Sequence, residues 1–204
     1  IPAFTRNWLM NSGRGGPLPV EPARFDVAVL LATVVAFGAW LGWSTSLETG
    51  VLAAVVAVGH AVRLLRWRGW RTGAEPLVWV LHLGYLWVPV GFALMAGAAL
   101  APEVVPEAAV LHAFAAGAMG TMMLAMMTRA TLGHTGRPLI ADRATTAVYL
   151  LITVTAALRV TAALAPDLFG TAIALSGAGW ILAFGVYLLA YAPKLCRRRI
   201  DAGA

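Results

Sequence analysis

The chain has 204 residues, of which 60% are hydrophobic and only 12% are charged, and its mean hydropathy is +0.80. Soluble domains carry about 25% charged residues, so this composition excludes an ordinary soluble protein and predicts several crossings of a lipid bilayer. The net charge of +6 comes from arginines between apolar segments, without a basic face interleaved with aromatics, which excludes nucleic acid as a partner. The single cysteine, Cys196, excludes an intrachain disulfide and a metal site built from thiolates alone.

Six apolar segments follow a polar stretch at residues 1–24, which is rich in glycine and proline and is predicted to be a cytoplasmic loop or linker. Each segment is long enough to cross an apolar layer of about 30 Å as a helix, and its continuous apolar character excludes strands. The sequence therefore predicts an all-α polytopic bundle of six transmembrane helices within residues 25–192, followed by a basic tail at 193–204. The predicted spans are 25–44, 48–66, 76–100, 107–131, 144–165 and 168–192.

Arginine and lysine are confined to alternate connections between the predicted spans, with one exception inside a span. Because cytoplasmic loops are enriched in these residues, we expect the arginine-rich side and both ends of the chain to be cytoplasmic. No carboxylate is expected within a span, which weakens proton-coupled transport as a function. The arginine-rich side carries Arg6, Arg14, Arg24, Arg63, Arg66, Arg68, Arg71, Arg129, Arg137, Arg143, Lys194 and Arg197 to Arg199, whereas the opposite connections carry Glu48, Glu103, Glu107 and Asp167.

The exception is Arg159, which lies within the fifth predicted span, about two helical turns from its outer end. A charge inside a bilayer costs several kcal/mol unless it is paired or hydrated, so Arg159 is a candidate functional residue. The alternative is a long side chain that reaches the headgroups at the outer interface.

Two histidines are predicted at matched depth on neighbouring antiparallel helices, because His60 precedes Arg66 by six residues and His82 follows Pro76 by six residues. At about 1.5 Å per residue both imidazoles lie about 9 Å inside the same membrane face. Such a pair could bind the two sides of a haem iron, with Arg63 and Arg66 holding the propionates. The alternative is that each ring hydrogen-bonds a neighbouring helix and orders the bundle.

His112 lies near the outer end of the fourth predicted span, at about the depth of Arg159, and a stripe of methionines follows it on the same helix. Imidazole and thioether both suit copper, but His112 and Met119 are about 10 Å apart on a straight helix and cannot share one ion. The pattern favours His112 as a haem or metal ligand and the methionines as packing. Small residues four apart on this helix permit close helix contact or a flat macrocycle: Ala113, Ala116, Gly117 and Gly120.

His134 and Arg137 lie in a predicted cytoplasmic loop that contains two glycines, where Arg137 could bind an anion or a propionate. The sequence has no glycine-rich phosphate loop, no HExxH and no CxxCH, so nucleotide hydrolysis, zinc-protease chemistry and covalent haem attachment are unsupported. No set of acid, base and nucleophile stands out, which leaves open whether the protein is an enzyme.

Four stretches of the chain carry a resemblance to a known family. The longest reads HAFAAGAMGTMMLAMMTRATLGHTGRPL at 112–139, and the others, in matching order, read IPAFTRNWL at 1–9, VLHLGYLWVPVG at 80–91 and YAPKLCRRRID at 191–201. Together they resemble the NnrS family of membrane proteins, over nearly the whole chain. Members of this family carry haem and copper and are associated with bacterial responses to nitric oxide.

The resemblance implies a bacterial inner-membrane protein with haem b and copper as candidate cofactors. It implies roles as haem, metal or supporting residues for the positions within the matching stretches, which are His82, His112, Arg129, His134 and Arg137. Family members are longer, so we expect this chain to be a C-terminal half whose missing N-terminal half could supply a haem ligand.

The leading hypothesis is a haem-binding membrane protein, with copper as a second metal, that serves in nitric-oxide or nitrosative-stress tolerance. In it, His82 with His60 or His112 holds haem b while Arg63 and Arg66 anchor its propionates. A transporter for metal, haem or a small solute is one alternative, and an accessory subunit of a respiratory or denitrification complex is another. Candidate metal ligands are His60, His82, His112 and His134, and candidate haem-supporting cations are Arg63, Arg66, Arg129 and Arg137.

Overall fold

The computed structural model describes residues 1–13 and 15–200, so Arg14 and the end of the predicted basic tail lie outside the described residues. Within the described part, six helices are long and apolar enough to cross a membrane and no strand is present, which confirms the predicted all-α bundle. A short helix, α1, precedes them at Pro2–Asn11. The six long helices are α2 Arg24–Gly42, α3 Leu47–Arg66, α4 Pro76–Leu100, α5 Glu107–His134, α6 Arg143–Leu164 and α7 Phe169–Cys196.

The starts of the spans coincide with side chains that cap free backbone amides. Ser46 Oγ accepts from the Thr49 amide at 3.1 Å at the start of α3, and Glu75 Oε1 accepts from the Leu77 amide at 3.1 Å at the start of α4. Because the first amides of a helix have no partner within it, such caps explain why the helices begin at these residues.

Helix α1 forms inside the stretch that the sequence predicted to be a loop. Proline at its first position suits a helix start, and Thr5 and Leu9, one turn apart, are buried. The segment that follows is held in place because the guanidinium of Arg71 donates to the carbonyls of Gly15 and Pro17. The N-terminal stretch therefore packs on the bundle near the connection between α3 and α4.

Helix α4 is the centre of the bundle and shares in its two largest cores. One core joins α4 to α5, α6 and α7 around Tyr149 and Tyr191, and the other joins α4 to α2, α3 and α5 around Phe92 and Met95. Half of the apolar stretch of α4 (50%) is buried, against 17% for α2, whose outer face presents apolar side chains to the lipid. One face of α4, which includes His82 at 7% exposed, therefore lies inside the bundle.

Helix α5 is not α-helical throughout, because Ala113–Met119 form a π-helical segment directly after His112. Such segments are rare and often mark functional sites. Gly117 lies within it, and a Cβ there would overlap the Trp87 ring of α4. The predicted close helix contact at the small residues is confirmed at this position.

Candidate functional site

His60 of α3 is 2% exposed, and both of its ring nitrogens contact other side chains. Nε2 lies 2.8 Å from Thr33 Oγ1, and Nδ1 lies 2.6 Å from the Tyr85 hydroxyl. Thr33 donates its own hydrogen to the carbonyl of Val29 at 2.7 Å, so Nε2 of a neutral His60 carries the ring hydrogen and Nδ1 accepts from Tyr85. In this geometry His60 has no ring nitrogen left for a metal ion, and the ring joins α2, α3 and α4.

Asp26 lies in the first turn of α2 and is 6% exposed, which corrects the expectation that no span contains a carboxylate. Its Oδ1 accepts from Arg63 Nε at 2.9 Å, and its Oδ2 lies 3.5 Å from Arg66 and accepts from the Ala23 amide at 3.0 Å. Arg63 also donates to the Tyr85 hydroxyl at 2.7 Å. The two arginines predicted to hold propionates are thus engaged by a carboxylate of this chain.

The rings of Tyr85 and Trp67 lie between His60 and His82 and connect them. The ring centroids are 5.7 Å apart for His60 and Tyr85, 4.4 Å for Tyr85 and Trp67, and 6.4 Å for Trp67 and His82. The ring of Phe92 stacks on the ring of His60, with the centroids 5.5 Å apart and an interplanar angle of 10°. The two imidazoles at matched depth are therefore linked by side chains of the protein itself.

His82 of α4 is 7% exposed and has only one of its ring nitrogens engaged within the described chain. Nε2 lies 2.8 Å from Thr5 Oγ1 of α1, whereas Nδ1 is buried and has no hydrogen-bond partner among the described residues. The ring lines a cavity of about 340 Å³ together with leucines, Gly69, Trp70 and Trp79. No charged residue of the described chain lines it.

His112 and Arg159 line one cavity of about 510 Å³ between α5, α6 and α7, at the end of the bundle opposite the arginine-rich connections. The two residues were predicted to lie at about the same depth, and the fold brings them together from two different helices. Both side chains are half-buried. Small residues form part of the wall, namely Ala115 and Ala116 of the π-helical segment and Gly177 of α7.

Polar residues that the sequence analysis did not single out complete this cavity. Thr155 is 2% exposed, and its hydroxyl has no hydrogen-bond partner in the described part of the chain. Ser176, also 2% exposed, donates to the Ile173 carbonyl at 2.9 Å. Thr155 precedes Arg159 by four residues, so the two share a helix face. This spacing in the sequence could have identified Thr155 as a neighbour of Arg159.

The other predicted site residues lie elsewhere. Arg129 donates to the Leu77 carbonyl at 2.6 Å, with its guanidinium carbon 4.5 Å from the Phe4 ring centroid, and Arg137 lies 3.3 Å from the Lys194 carbonyl. His134 is exposed. The methionine stripe faces outward and does not pack in the core, since Met119, Met123 and Met126 are 70%, 44% and 46% exposed. Across residues 1–13 and 15–200, no group of three or more His, Cys, Asp or Glu is placed to hold a metal ion.

One known protein family matches nearly the whole of the chain. A family model described as NnrS protein matches residues 1–199. No curated protein and no solved structure matches the chain.

Proposed function

The chain belongs to the NnrS family, and from this premise we propose that it binds haem in the cavity lined by His112 and Arg159. Membership suggests a membrane protein of the nitric-oxide response. Haem iron supplies a site at which such a diatomic ligand can bind. The bundle would then serve in nitric-oxide or nitrosative-stress tolerance, and the cavity lined by His112 would be its ligand-binding site.

The cavity supports this proposal by its size and by the chemistry of its lining. Its volume of about 510 Å³ falls within the range of about 300 to 1,000 Å³ that is typical of small-molecule and cofactor sites. His112 provides an imidazole for iron, and Arg159 provides a guanidinium that suits a propionate. The small residues Ala115, Ala116 and Gly177 allow a flat ring to approach the backbone.

The environments of the other buried histidines favour His112. Both nitrogens of His60 are committed to Thr33 and Tyr85, so iron ligation would break two buried hydrogen bonds. His82 has a free nitrogen, but among the described residues its cavity has no cation to compensate a propionate. The proposed haem ligand of this chain is therefore His112, with Arg159 in the anchoring role first given to Arg63 and Arg66.

The proposal extends to orientation and to the second metal. Because cytoplasmic loops are enriched in arginine and lysine, we propose that both ends of the chain lie on the cytoplasmic side of a bacterial inner membrane. In this orientation the His112 cavity lies in the periplasmic half. Copper is the alternative metal at His112, because imidazole is a ligand that copper also accepts.

Optical spectra of the purified protein after haem-replete expression test the proposal. We expect a Soret band in the wild type, its loss in His112→Ala, and a weakened or shifted band in Arg159→Gln. His134→Ala, at an exposed position, is the matched control and should keep the band. A wild-type protein with copper but no Soret band points to the copper alternative, whereas a normal band in His112→Ala contradicts His112 as the ligand.

One observation bears on the transporter alternative, which is the buried carboxylate of Asp26 in a span. Transporters use such groups to carry protons or cations. Asp26, however, already has two arginines and a backbone amide as partners, which leaves it poorly suited to bind and release a cation. Solute flux into proteoliposomes that is lost in Asp26→Asn would favour transport. Co-purification with an oxidase or reductase would favour the accessory-subunit alternative.

A further inference from the structure

We propose that the cavity beside His82 binds the ring of a neutral, lipid-soluble quinone or quinol. This inference concerns a second site, at the arginine-rich end of α3 and α4, and is independent of haem at His112. It rests on a buried polar atom without a partner, an aromatic and aliphatic lining, and a hydroxyl that can change the hydrogen-bonding character of the imidazole.

The cavity lining selects against charged ligands and in favour of flat apolar ones. Two indole rings, of Trp70 and Trp79, line it together with leucines, and the described chain contributes no charged side chain. Trp70 is 65% exposed and Leu65 is 60% exposed, so the cavity opens at the outer surface of the bundle, where lipid lies. An aromatic ring that enters from the lipid would stack on indole without losing any ionic solvation.

The unpartnered Nδ1 of His82 calls for a ligand with a hydrogen-bonding group. A buried polar atom without a partner destabilises the folded protein, and native proteins rarely leave one. Gly69 packs closely on the ring at this nitrogen, since a Cβ there would lie 2.5 Å from both Nδ1 and Cγ, so no side chain at position 69 could cover the nitrogen without displacing the ring. An acyl chain could fill the cavity but would leave Nδ1 unpaired, so the polar atom favours a ring that bears a hydroxyl or a carbonyl.

Thr5 allows His82 to serve either redox form of such a ring while the imidazole stays neutral. When the Thr5 hydroxyl donates to the Ile1 carbonyl, 3.3 Å away, Nε2 of His82 carries the ring hydrogen and Nδ1 can accept from a quinol hydroxyl. When Thr5 donates to Nε2 instead, Nδ1 carries the hydrogen and can donate to a quinone carbonyl. Helix α1 thus supplies the group that sets the tautomer.

Titration of the detergent-purified full chain with decyl-ubiquinone, followed by quenching of tryptophan fluorescence, tests this inference. We expect saturable binding in the wild type and binding about fivefold to tenfold weaker in His82→Leu, which corresponds to the loss of one hydrogen bond. Gly69→Ala should weaken binding too, because the added methyl group displaces the ring of His82.

Two further variants and one competitor show whether binding depends on this cavity and on the ring of the ligand. His134→Leu, at an exposed site, should bind as the wild type does, and Trp70→Leu, also at an exposed site, should bind more weakly even if His82→Leu does not fold. Decanol, which has the same alkyl chain without the ring, should not compete with decyl-ubiquinone. Equal binding by wild type and folded His82→Leu, no saturable binding by the wild type, or full competition by decanol would overturn the inference, the last in favour of an acyl-chain site.

Discussion

The Tyr85 hydroxyl donates to Nδ1 of His60 across 2.6 Å and at the same time accepts from Arg63 at 2.7 Å. One phenol therefore connects an imidazole to a guanidinium that is itself paired with Asp26. Removal of a single member leaves the others unsatisfied inside a membrane, where water cannot replace the lost partner. This network orders α2, α3 and α4, and it is the first place where we expect substitutions to be costly.

Tyr85→Phe should destabilise the protein by about 1 to 3 kcal/mol, because it leaves His60 Nδ1 and one arginine nitrogen without their partner. Thermal unfolding in detergent, followed by near-ultraviolet circular dichroism, measures the change. Tyr187→Phe, which keeps the ring stacked on Tyr191, is the control and should unfold close to the wild type. Equal midpoints for the two variants would show that the network adds no stability.

Asp26→Asn should cost about 3 to 5 kcal/mol, since it leaves two half-buried guanidinium groups, of Arg63 and Arg66, without a counter-ion. The same unfolding assay measures it. Glu21→Gln breaks the exposed ion pair with Arg6 and should cost about 1 kcal/mol or less, because water screens that pair. A loss for Asp26→Asn as small as that for Glu21→Gln would mean that the arginines find other partners.

Asp142, which caps α6 outside its membrane-spanning part, should make stability depend on pH. Burial raises the pKa of Asp142, but hydrogen bonds from the side chain and amide of Thr145 and from Lys194 outweigh burial and hold the pKa below its ordinary value of 3.8. Its contribution is therefore present above the unfolded-state pKa and is lost as the pH falls through the lower folded-state pKa.

Unfolding midpoints of wild type and Asp142→Asn across this range measure that contribution. We expect the wild type to be the more stable at neutral pH and the difference to shrink as the pH falls below about 4. Asparagine still caps the helix, so the variant mainly removes the charge that Lys194 contacts. A difference between the two proteins that does not change with pH would exclude Asp142 as the titrating group.

Gly179→Ala should destabilise the contact between α6 and α7 by about 1 to 3 kcal/mol, because the added Cβ would overlap the Thr155 hydroxyl. Thr155→Ala in the same chain removes that overlap and should restore much of the loss. Gly185→Ala lies on the same helix with nothing within 4 Å of its Cβ, so it should be neutral or stabilising by up to about 1 kcal/mol. Equal effects at positions 179 and 185 would contradict this account of the contact.

The spans could be predicted to within four residues at either end, because a helix in lipid needs an uninterrupted apolar run and its ends are marked by charge, proline and capping residues. Depth also followed from residue counting, which is why His112 and Arg159 were expected at one level and do line one cavity. The partners of His60 did not follow, since depth says nothing about how a helix is rotated about its axis.

Helix α1 is a second feature that could not be predicted from the local sequence. The loop prediction for residues 1–24 rested on glycines and prolines that mostly follow α1 in the sequence. The helix itself is stabilised by burial of Thr5 and Leu9 against the bundle, a tertiary contact that local propensity does not contain. The π-helical segment after His112 likewise has no local signature, and it lies where α5 contacts α4 and α6.

The sequence by itself determined that the chain forms six helices long and apolar enough to cross a membrane, and that His112 and Arg159 lie at a similar level, because both depend only on distance along the chain. The tertiary structure decided that both ring nitrogens of His60 have partners and that Nδ1 of His82, beside an apolar cavity, has none among residues 1–13 and 15–200. It also decided that His112 shares a cavity with Arg159. Those outcomes depend on helix rotation and side-chain packing, which arise only when the helices meet.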